Sequence, residues 1–233
     1  MKLLSAVMAL LALVAANAMA DTTNGLSDKE IQGHALAQKM LAQWPVENFT
    51  NAGVLKIRSS KKHDEFPLKY TVTITPTNWV ACYWAQLATN SVTKLAVTHD
   101  GSESNHYEFF GDETEQRAFA GSDFSAGDLG LEFVHWPQQK VLKREVHSSR
   151  GCTVLESTNP SPSPDSYSRV MSWIDTETLG IVEAYAYDAK GKQLKDFYPK
   201  DFTKINGQWQ VQTFVMENVQ TGSRSRIEFD LKH

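Results

Sequence analysis

Tyr167-Ser-Arg-Val-Met-Ser-Trp-Ile-Asp175 and Ile181-Val-Glu-Ala-Tyr-Ala-Tyr-Asp188 carry a large apolar or aromatic residue at nearly every second position. A period of two is typical of strands with two different faces, and the two segments are predicted to form one hairpin. Polar turns follow at Asp188-Ala-Lys-Gly-Lys192 and at Ile205-Asn-Gly-Gln208, whose Asn-Gly pair tolerates positive φ. The C-terminal part is therefore predicted to be a meander of four or five strands.

The same alternation occurs upstream, most clearly in Leu68-Lys-Tyr-Thr-Val-Thr-Ile74. Further short strands are predicted at 78–87, 92–99 and 105–110, and a hairpin is predicted around Ser149-Arg-Gly151. The pattern predicts about a dozen antiparallel strands.

Two segments have helical signals instead. Ser27-Asp-Lys-Glu30 has the spacing of a capping box, and an apolar stripe follows it up to Pro45, formed by Ile31, Ala35, Leu36, Met40, Leu41 and Trp44. Between Gly111 and Gln138 the strand pattern stops, and Ser122 is the candidate N-cap of a second, short helix. The predicted fold class is mainly β with helices (α+β), an unclosed antiparallel β-barrel or strongly curved sheet lidded by helices.

The N-terminus resembles a secretory signal. Met1-Lys-Leu-Leu is followed by an apolar run to Val14 and by Ala18-Met-Ala20, which has small residues at the positions that a signal peptidase reads. We expect residues 1–20 to be cleaved, since the run is short for the alternative, an uncleaved anchor helix. Asp21 follows the cleavage site, so a lipid-modified cysteine is not expected, and 21–233 is predicted to be a single periplasmic domain.

Net charge and cysteine content limit which partners and which covalent cross-links the protein can have. Without the signal the chain has 22 basic and 27 acidic side chains, a net charge of −5, which argues against nucleic acid as a partner. The two cysteines, Cys82 and Cys152, are expected to form either one disulfide bridge or two buried thiols.

Signals for catalysis are weak throughout the sequence. The nearest approach to a nucleophile elbow is Asp123-Phe-Ser-Ala-Gly127, in which Asp123 replaces the first glycine of that motif. The seven histidines show no spacing typical of a metal site, and no phosphate-binding loop is present. We therefore expect no catalytic residue, no metal and no cofactor.

Several motifs occur in an order that resembles the LolA-like outer-membrane lipoprotein-sorting family. They are Gly121-Ser-Asp-Phe-Ser with Asp128-Leu129, Gly151-Cys-Thr-Val-Leu-Glu156, Ser172-Trp-Ile-Asp175, Tyr187-Asp-Ala-Lys-Gly-Lys192 with Lys195, Asn206-Gly-Gln-Trp209 and Asn218-Val-Gln-Thr-Gly222. The resemblance covers roughly residues 107–233. It implies a periplasmic carrier whose apolar concave face takes acyl chains of lipoproteins or phospholipid, with an envelope membrane protein as a possible partner.

The residues also point to a cavity. We predict that the concave face is formed by Tyr70, Val72, Ile74, Trp173, Tyr185, Tyr187, Trp209, Val211, Ile227 and Phe229. The predicted lid residues are Leu36, Met40, Phe124, Leu129, Leu131, Phe133 and Trp136. A monomer is expected.

Two other functions stay open. The same aromatic residues can fill a closed core, which would give a periplasmic protein-binding or sensory module. An esterase with Ser125 as nucleophile is the third possibility.

Overall fold

A computed structural model describes residues 25–101, 103–111, 118–164, 166–205 and 208–231. The predicted signal peptide, residues 1–20, lies outside the described residues. Within them the chain forms two α-helices, α1 (Asp28–Leu41) and α2 (Ala126–Leu129), and two 3-10 helices, Phe119–Gly121 and Glu132–His135. The strands are β1 (Phe49–Arg58), β2 (His63–Ile74), β3 (Trp79–Ala88), β4 (Ser91–His99), β5 (His106–Phe110), β6 (Gln138–His147), β7 (Arg150–Thr158), β8 (Arg169–Asp175), β9 (Ile181–Tyr187), β10 (Gln193–Pro199), β11 (Phe202–Ile205), β12 (Gln208–Val211), β13 (Thr213–Asn218) and β14 (Ser223–Phe229).

Twelve of these strands form one antiparallel sheet in the order β5-β4-β3-β2-β1-β14-β13-β10-β9-β8-β7-β6. The first and last strands of the chain meet in its middle, where Leu55 of β1 lies opposite Ile227 of β14. The edge strands β5 and β6 do not pair with each other, so the sheet stays open. The predicted fold class is confirmed.

The C-terminal meander is confirmed only in part. β8, β9 and β10 pair in sequence, but β11 and β12 pair only with each other, and β10 continues the sheet by pairing with β13. The Asn206-Gly207 pair of the predicted turn lies outside the described residues.

Residues 118–136, here called the insertion, connect the two edges of the sheet. Phe119 and Phe124 of the insertion are fully buried in an apolar cluster with Leu55, Leu95 and Ile227 of the sheet. At the other half of the sheet, Phe133 and Val134 pack with Ala37 of α1 and with β8 and β9. The face that α1 and the insertion cover is called the inner face, and the opposite one the outer face.

The capping box of α1 is confirmed, because the Glu30 carboxylate accepts hydrogen bonds from both the amide (2.8 Å) and the hydroxyl (2.6 Å) of Ser27. The predicted apolar stripe is wrong in part. The helix buries the small residues Gly33 and Ala37, while Ile31 is 42% exposed and Trp44 is 36% exposed. The backbone of β6 approaches α1 closely, which favours small residues at the contact.

The second helix begins three residues later than predicted. Ser125, not Ser122, is its N-cap and accepts a hydrogen bond from the Asp128 amide. Ser122 instead donates its hydroxyl hydrogen to the Phe119 carbonyl at 2.6 Å. Among the described residues, no helix has the length and apolarity needed to cross a membrane.

Candidate functional site

The inner face contains a small cavity beneath the insertion. Its volume is about 20 Å³, which is room for about one water molecule. The sheet supplies an apolar floor, formed by Val170, Ala184, Ala186, Phe197 and Met216, and Phe133 of the insertion lies against it. One wall is polar and consists of Asp128, Tyr167 and Lys195. The site is thus an apolar cleft with a polar end, largely closed in this conformation.

The polar end ties the insertion to the sheet. The Lys195 ammonium lies 3.1 Å from the Asp128 carboxylate and also donates to the Asp123 carbonyl at 2.5 Å. The Tyr167 hydroxyl donates to Asp128 at 2.9 Å, and the Ser125 amide and hydroxyl both donate to it at 2.7 Å. Burial, together with the negative charge of Asp128, raises the pKa of Tyr167 well above its usual range, so its hydroxyl keeps its proton. Asp128 therefore has four donors and is held firmly.

A second set of hydrogen bonds anchors the insertion to β14. The hydroxyls of Ser223 and Ser225 donate to the Asp123 carboxylate at 2.5 and 2.7 Å, and the Asp123 amide donates to Ser225 at 2.8 Å. Because Phe124 next to it is fully buried, this part of the insertion is held by polar and apolar contacts together. Asp123 and Phe124 belong to the motif Gly121-Ser-Asp-Phe-Ser that resembles the lipoprotein-sorting family, and both hold the insertion on the sheet.

Some predicted cavity residues lie on the inner face. Val72 and Ile227 are buried there, and Tyr70 packs against Tyr83 and Phe229 with ring centroids 4.7 and 5.4 Å apart. Ile74, half-buried, has the same strand parity. These residues fill the N-terminal half of the inner face and do not line the cavity.

Three other predicted cavity residues lie on the outer face of the sheet. Trp173 and Tyr185 belong to a separate cluster with Cys152, Val154 and Met171, and Tyr187 shares their parity. Their neighbours Val170, Ala184 and Ala186 point inward instead. The prediction that these three aromatic residues line the lidded face is therefore wrong, because the small alternate residues of β8 and β9 leave space for Phe133 and Val134.

The hairpin residues are also separate from the cavity. Val211 is half-buried in β12, which is not part of the main sheet. Trp209 belongs to the same strand, and its side chain lies outside the described residues.

The outer-face aromatic residues belong to a network of polar groups. Trp173 stacks on His147 and donates its indole hydrogen to Glu145 at 2.8 Å, while His147 contacts Glu183 at 2.5 Å. Burial, together with the negative charges of Glu183 and Glu217, raises the pKa of Asp196 in this region to about 7.

Six of the seven predicted lid residues pack against the inner-face clusters, and their action as a lid stays a prediction. Phe124 and Phe133 are buried, and five others are half-buried. Of these, Met40, Leu131 and Trp136 pack on the cluster around Ala184, and Leu129 packs on the cluster around Leu55. Leu36 is half-buried on α1.

The alternative of a disulfide bridge is excluded in this structure. Cys82 and Cys152 are both free thiols. They lie on β3 and β7 with seven strands between them, roughly 38 Å along the sheet at about 4.8 Å per strand, whereas a bridge needs Cα atoms within about 7 Å.

The Ser125 hydroxyl donates to Asp128 and accepts from its amide, so its hydrogen bonds are those of a capping box. In the described part of the chain, no group of three or more histidine, cysteine, aspartate or glutamate side chains is arranged to hold a metal ion.

Sequence reasoning missed the cavity floor and its polar end. Ala184 and Ala186 alternate with two tyrosines, and size alone predicts that the tyrosines point inward. Lys195 and Asp128 occur in the motifs quoted above, but nothing local in the sequence indicates that they meet. Their one signal is that each is a charged residue within an apolar, alternating or helical segment.

The model of a family described as uncharacterized protein-like matches residues 110–231, more than half of the chain. No curated protein matches the sequence.

Solved structures share the fold over most of the chain. A putative outer membrane lipoprotein-sorting protein domain from Vibrio parahaemolyticus is 15% identical, with a TM-score of 0.70 over 87% of this chain and 92% of that one. A DUF1329 family protein from Desulfovibrio piger is 19% identical, with a TM-score of 0.68 over 88% and 92%. A LolA superfamily protein from Nitrosomonas europaea is 17% identical, with a TM-score of 0.56 over 88% and 93%. The chain therefore belongs to the uncharacterized protein-like family of that model, and it has the fold of the LolA-like lipoprotein-sorting proteins.

Proposed function

We propose that the protein is a periplasmic carrier that holds an acyl chain of a lipoprotein or lipid between the inner face and its helical cover. The observation that carries the proposal is the cleft over β8, β9, β10 and β13, which has an apolar floor, small side chains and a cover on an open sheet. The common fold with a putative outer membrane lipoprotein-sorting domain supports it.

The cover has to move before cargo can enter. Pockets for small molecules measure about 300–1,000 Å³, and the cavity here measures about 20 Å³. An acyl chain therefore binds only when part of the cover leaves the inner face.

We propose that α1 is the part that moves. The helix buries only Gly33 and Ala37. Two exposed side chains bond this segment to the rest of the protein: Lys29 of the helix donates to the Leu142 carbonyl, and Gln43, just after the helix, donates to the Thr178 carbonyl. The insertion is fixed by two fully buried phenylalanines and by the Asp123 and Asp128 hydrogen bonds. Lifting α1 exposes Phe133, Val170 and the alanines of β9 without breaking those bonds.

Transfer of cargo requires no covalent step in this proposal. After removal of residues 1–20, a single domain of residues 21–233 takes up the chain and passes it to an envelope membrane protein or a membrane. The Ser125 hydroxyl acts as a helix cap and not as a nucleophile, so the esterase alternative has no support from the site.

One observation favours the second candidate, a protein-binding module with a closed core. In the N-terminal half the inner-face aromatic residues pack on one another, as Tyr70 and Tyr83 do with ring centroids 4.7 Å apart. A closed core would hold no lipid in either half of the sheet.

The test compares two adjacent residues of β10 that lie on opposite faces. Phe197 packs on the inner-face clusters, and Tyr198 points outward and donates to Glu217. Organic extracts of wild type, Phe197→Ser and Tyr198→Ser, each purified from a periplasm, are analysed by mass spectrometry beside a periplasmic protein of similar size. We expect stoichiometric acyl species in wild type and Tyr198→Ser and a large loss in Phe197→Ser. Clean extracts from all three folded proteins would favour the closed-core module instead.

A further inference from the structure

Ser172 of β8 presents its hydroxyl group to the inner face of the sheet. It is fully buried in β8, and among the described residues its oxygen has no hydrogen-bond partner. A buried hydroxyl without a hydrogen-bond partner destabilises the folded protein, so such groups are rare unless another molecule supplies the partner.

The position of Ser172 links it to the proposed cleft. Ala184 of β9 lies directly opposite Ser172, and Val170 is the next residue of β8 on the same face. Both Ala184 and Val170 line the cavity. Ser172 therefore lies beside the cleft floor, next to two of the residues that α1 and Phe133 cover.

A useful contrast exists on the neighbouring strand. Ser157 of β7 is equally buried on the inner face, and its hydroxyl donates to the Gln139 side chain at 2.7 Å. Gln139 in turn donates to carbonyls of the insertion, including that of Phe133 at 2.9 Å. The sheet thus satisfies one of the two buried hydroxyls and leaves the other unpaired.

The charges near the cleft decide which acceptor can reach Ser172. Its neighbours are apolar, and a carboxylate without a partner is strongly disfavoured in such surroundings. Lys195 is the cation that lines the cleft, and it already faces the Asp128 carboxylate and lies beside Asp123. The polar end of the cleft has no net positive charge to offer an anionic head group.

We propose that the Ser172 hydroxyl donates a hydrogen bond to the uncharged carbonyl of an ester- or amide-linked acyl chain, and that the cleft rejects the free fatty acid. This inference rests on the proposed carrier function. It adds the chemical form of the cargo and names Ser172 as the residue that recognises the acyl carbonyl.

Isothermal titration calorimetry with delipidated protein tests the inference, using dodecanoic acid and its monoglyceryl ester as probes of equal chain length. We expect wild type to bind the ester at least about tenfold more tightly than the acid. Ser172→Ala should weaken ester binding about three- to tenfold, leave acid binding unchanged and not lower the urea midpoint, because it removes an unpaired group. Ser157→Ala is the matched control, which should lower the urea midpoint and leave the ratio of ester to acid affinity unchanged.

The outcomes separate this inference from the function it rests on. Ester binding that is insensitive to Ser172→Ala, or acid binding as tight as ester binding, overturns the role of Ser172 and leaves the carrier function standing. Failure of wild type to bind either probe overturns both.

Discussion

Replacing Gly33 with alanine should lift helix α1 from the sheet. A Cβ atom at this position would lie 2.4 Å from the carbonyl carbon of Gln139 and 2.5 Å from the amide nitrogen of Lys140, both of them backbone atoms of β6. Ordinary contacts between carbon atoms are about 3.5–4.0 Å, so the helix has to move by about 1 Å or more. Overpacking of this kind typically costs about 1–3 kcal/mol, which corresponds to about 5- to 150-fold more frequent undocking.

The direction in which amide protection of α1 changes distinguishes a loss of docking from an effect of helix propensity. Alanine is favoured over glycine inside a helix by about 1 kcal/mol, so propensity alone predicts a more protected helix. Isolated helices of 14 residues are marginal in water, and an undocked α1 should therefore lose its hydrogen bonds.

Hydrogen exchange measures this directly. In Gly33→Ala we expect faster exchange of the α1 amides and unchanged exchange across the insertion, together with faster uptake of an acyl probe. Ala35→Leu adds a larger side chain at an exposed position of the same helix and is the control that should leave exchange unchanged. If the α1 amides exchange in Gly33→Ala at the wild-type rate or more slowly, the close contact between Gly33 and β6 does not determine how α1 docks.

The remaining predictions concern stability and the thiols. Phe124→Ala, in the fully buried part of the insertion, should lower the free energy of unfolding in urea by about 3–5 kcal/mol, whereas Ile31→Ala on the exposed side of α1 should change it by less than about 0.5 kcal/mol. Burial, with the charges of Glu183 and Glu217, raises the pKa of Asp196 in the folded protein to about 7 from 3.8. The stability that Asp196 contributes is therefore present below about pH 4 and is lost as the pH rises through 7. Asp196→Asn should accordingly raise the urea midpoint more at pH 8 than at pH 4. Native alkylation followed by mass spectrometry should label half-buried Cys82 faster than buried Cys152, and a reducing agent should leave the melting temperature unchanged; a mass two units below that of the dithiol would show a bridge.

Local signals in the sequence predict local structure well here. The capping box at Ser27 and the alternation from Tyr167 to Asp188 involve residues that contact each other within one helix or one hairpin, and both are found as expected. The N-cap at Ser122 was wrong because two serines compete within four residues, and the carboxylate of Asp128 selects Ser125.

Which face of a strand is covered is a different kind of question. Alternation in β9 separates Ala184 and Ala186 from Tyr185 and Tyr187, but it does not tell which set faces the helices. Size favoured the tyrosines, and the actual choice depends on Phe133, about fifty residues away in the chain. The meeting of Lys195 with Asp128 and of Gly33 with β6 is equally non-local, so no window of the sequence contains it.

The division of the cover into a fixed and a movable part gives the proposed carrier a workable energy balance. Burying each methylene of an acyl chain contributes about 0.8 kcal/mol, so a sixteen-carbon chain offers about 12 kcal/mol before ordering costs. Expelling the insertion would expose Phe119 and Phe124 and break the Asp123 and Asp128 hydrogen bonds, which would consume most of that gain. Lifting α1 exposes Ala37, Met40 and Leu41 of the helix, at a cost of a few kcal/mol on the same area scale. The residues that the helix uncovers on the sheet and the insertion, Phe133, Val170 and the alanines of β9, are covered again by the acyl chain in this proposal. Only a helix that packs through small residues can close the cleft when it is empty and still leave enough of the chain's burial energy for binding.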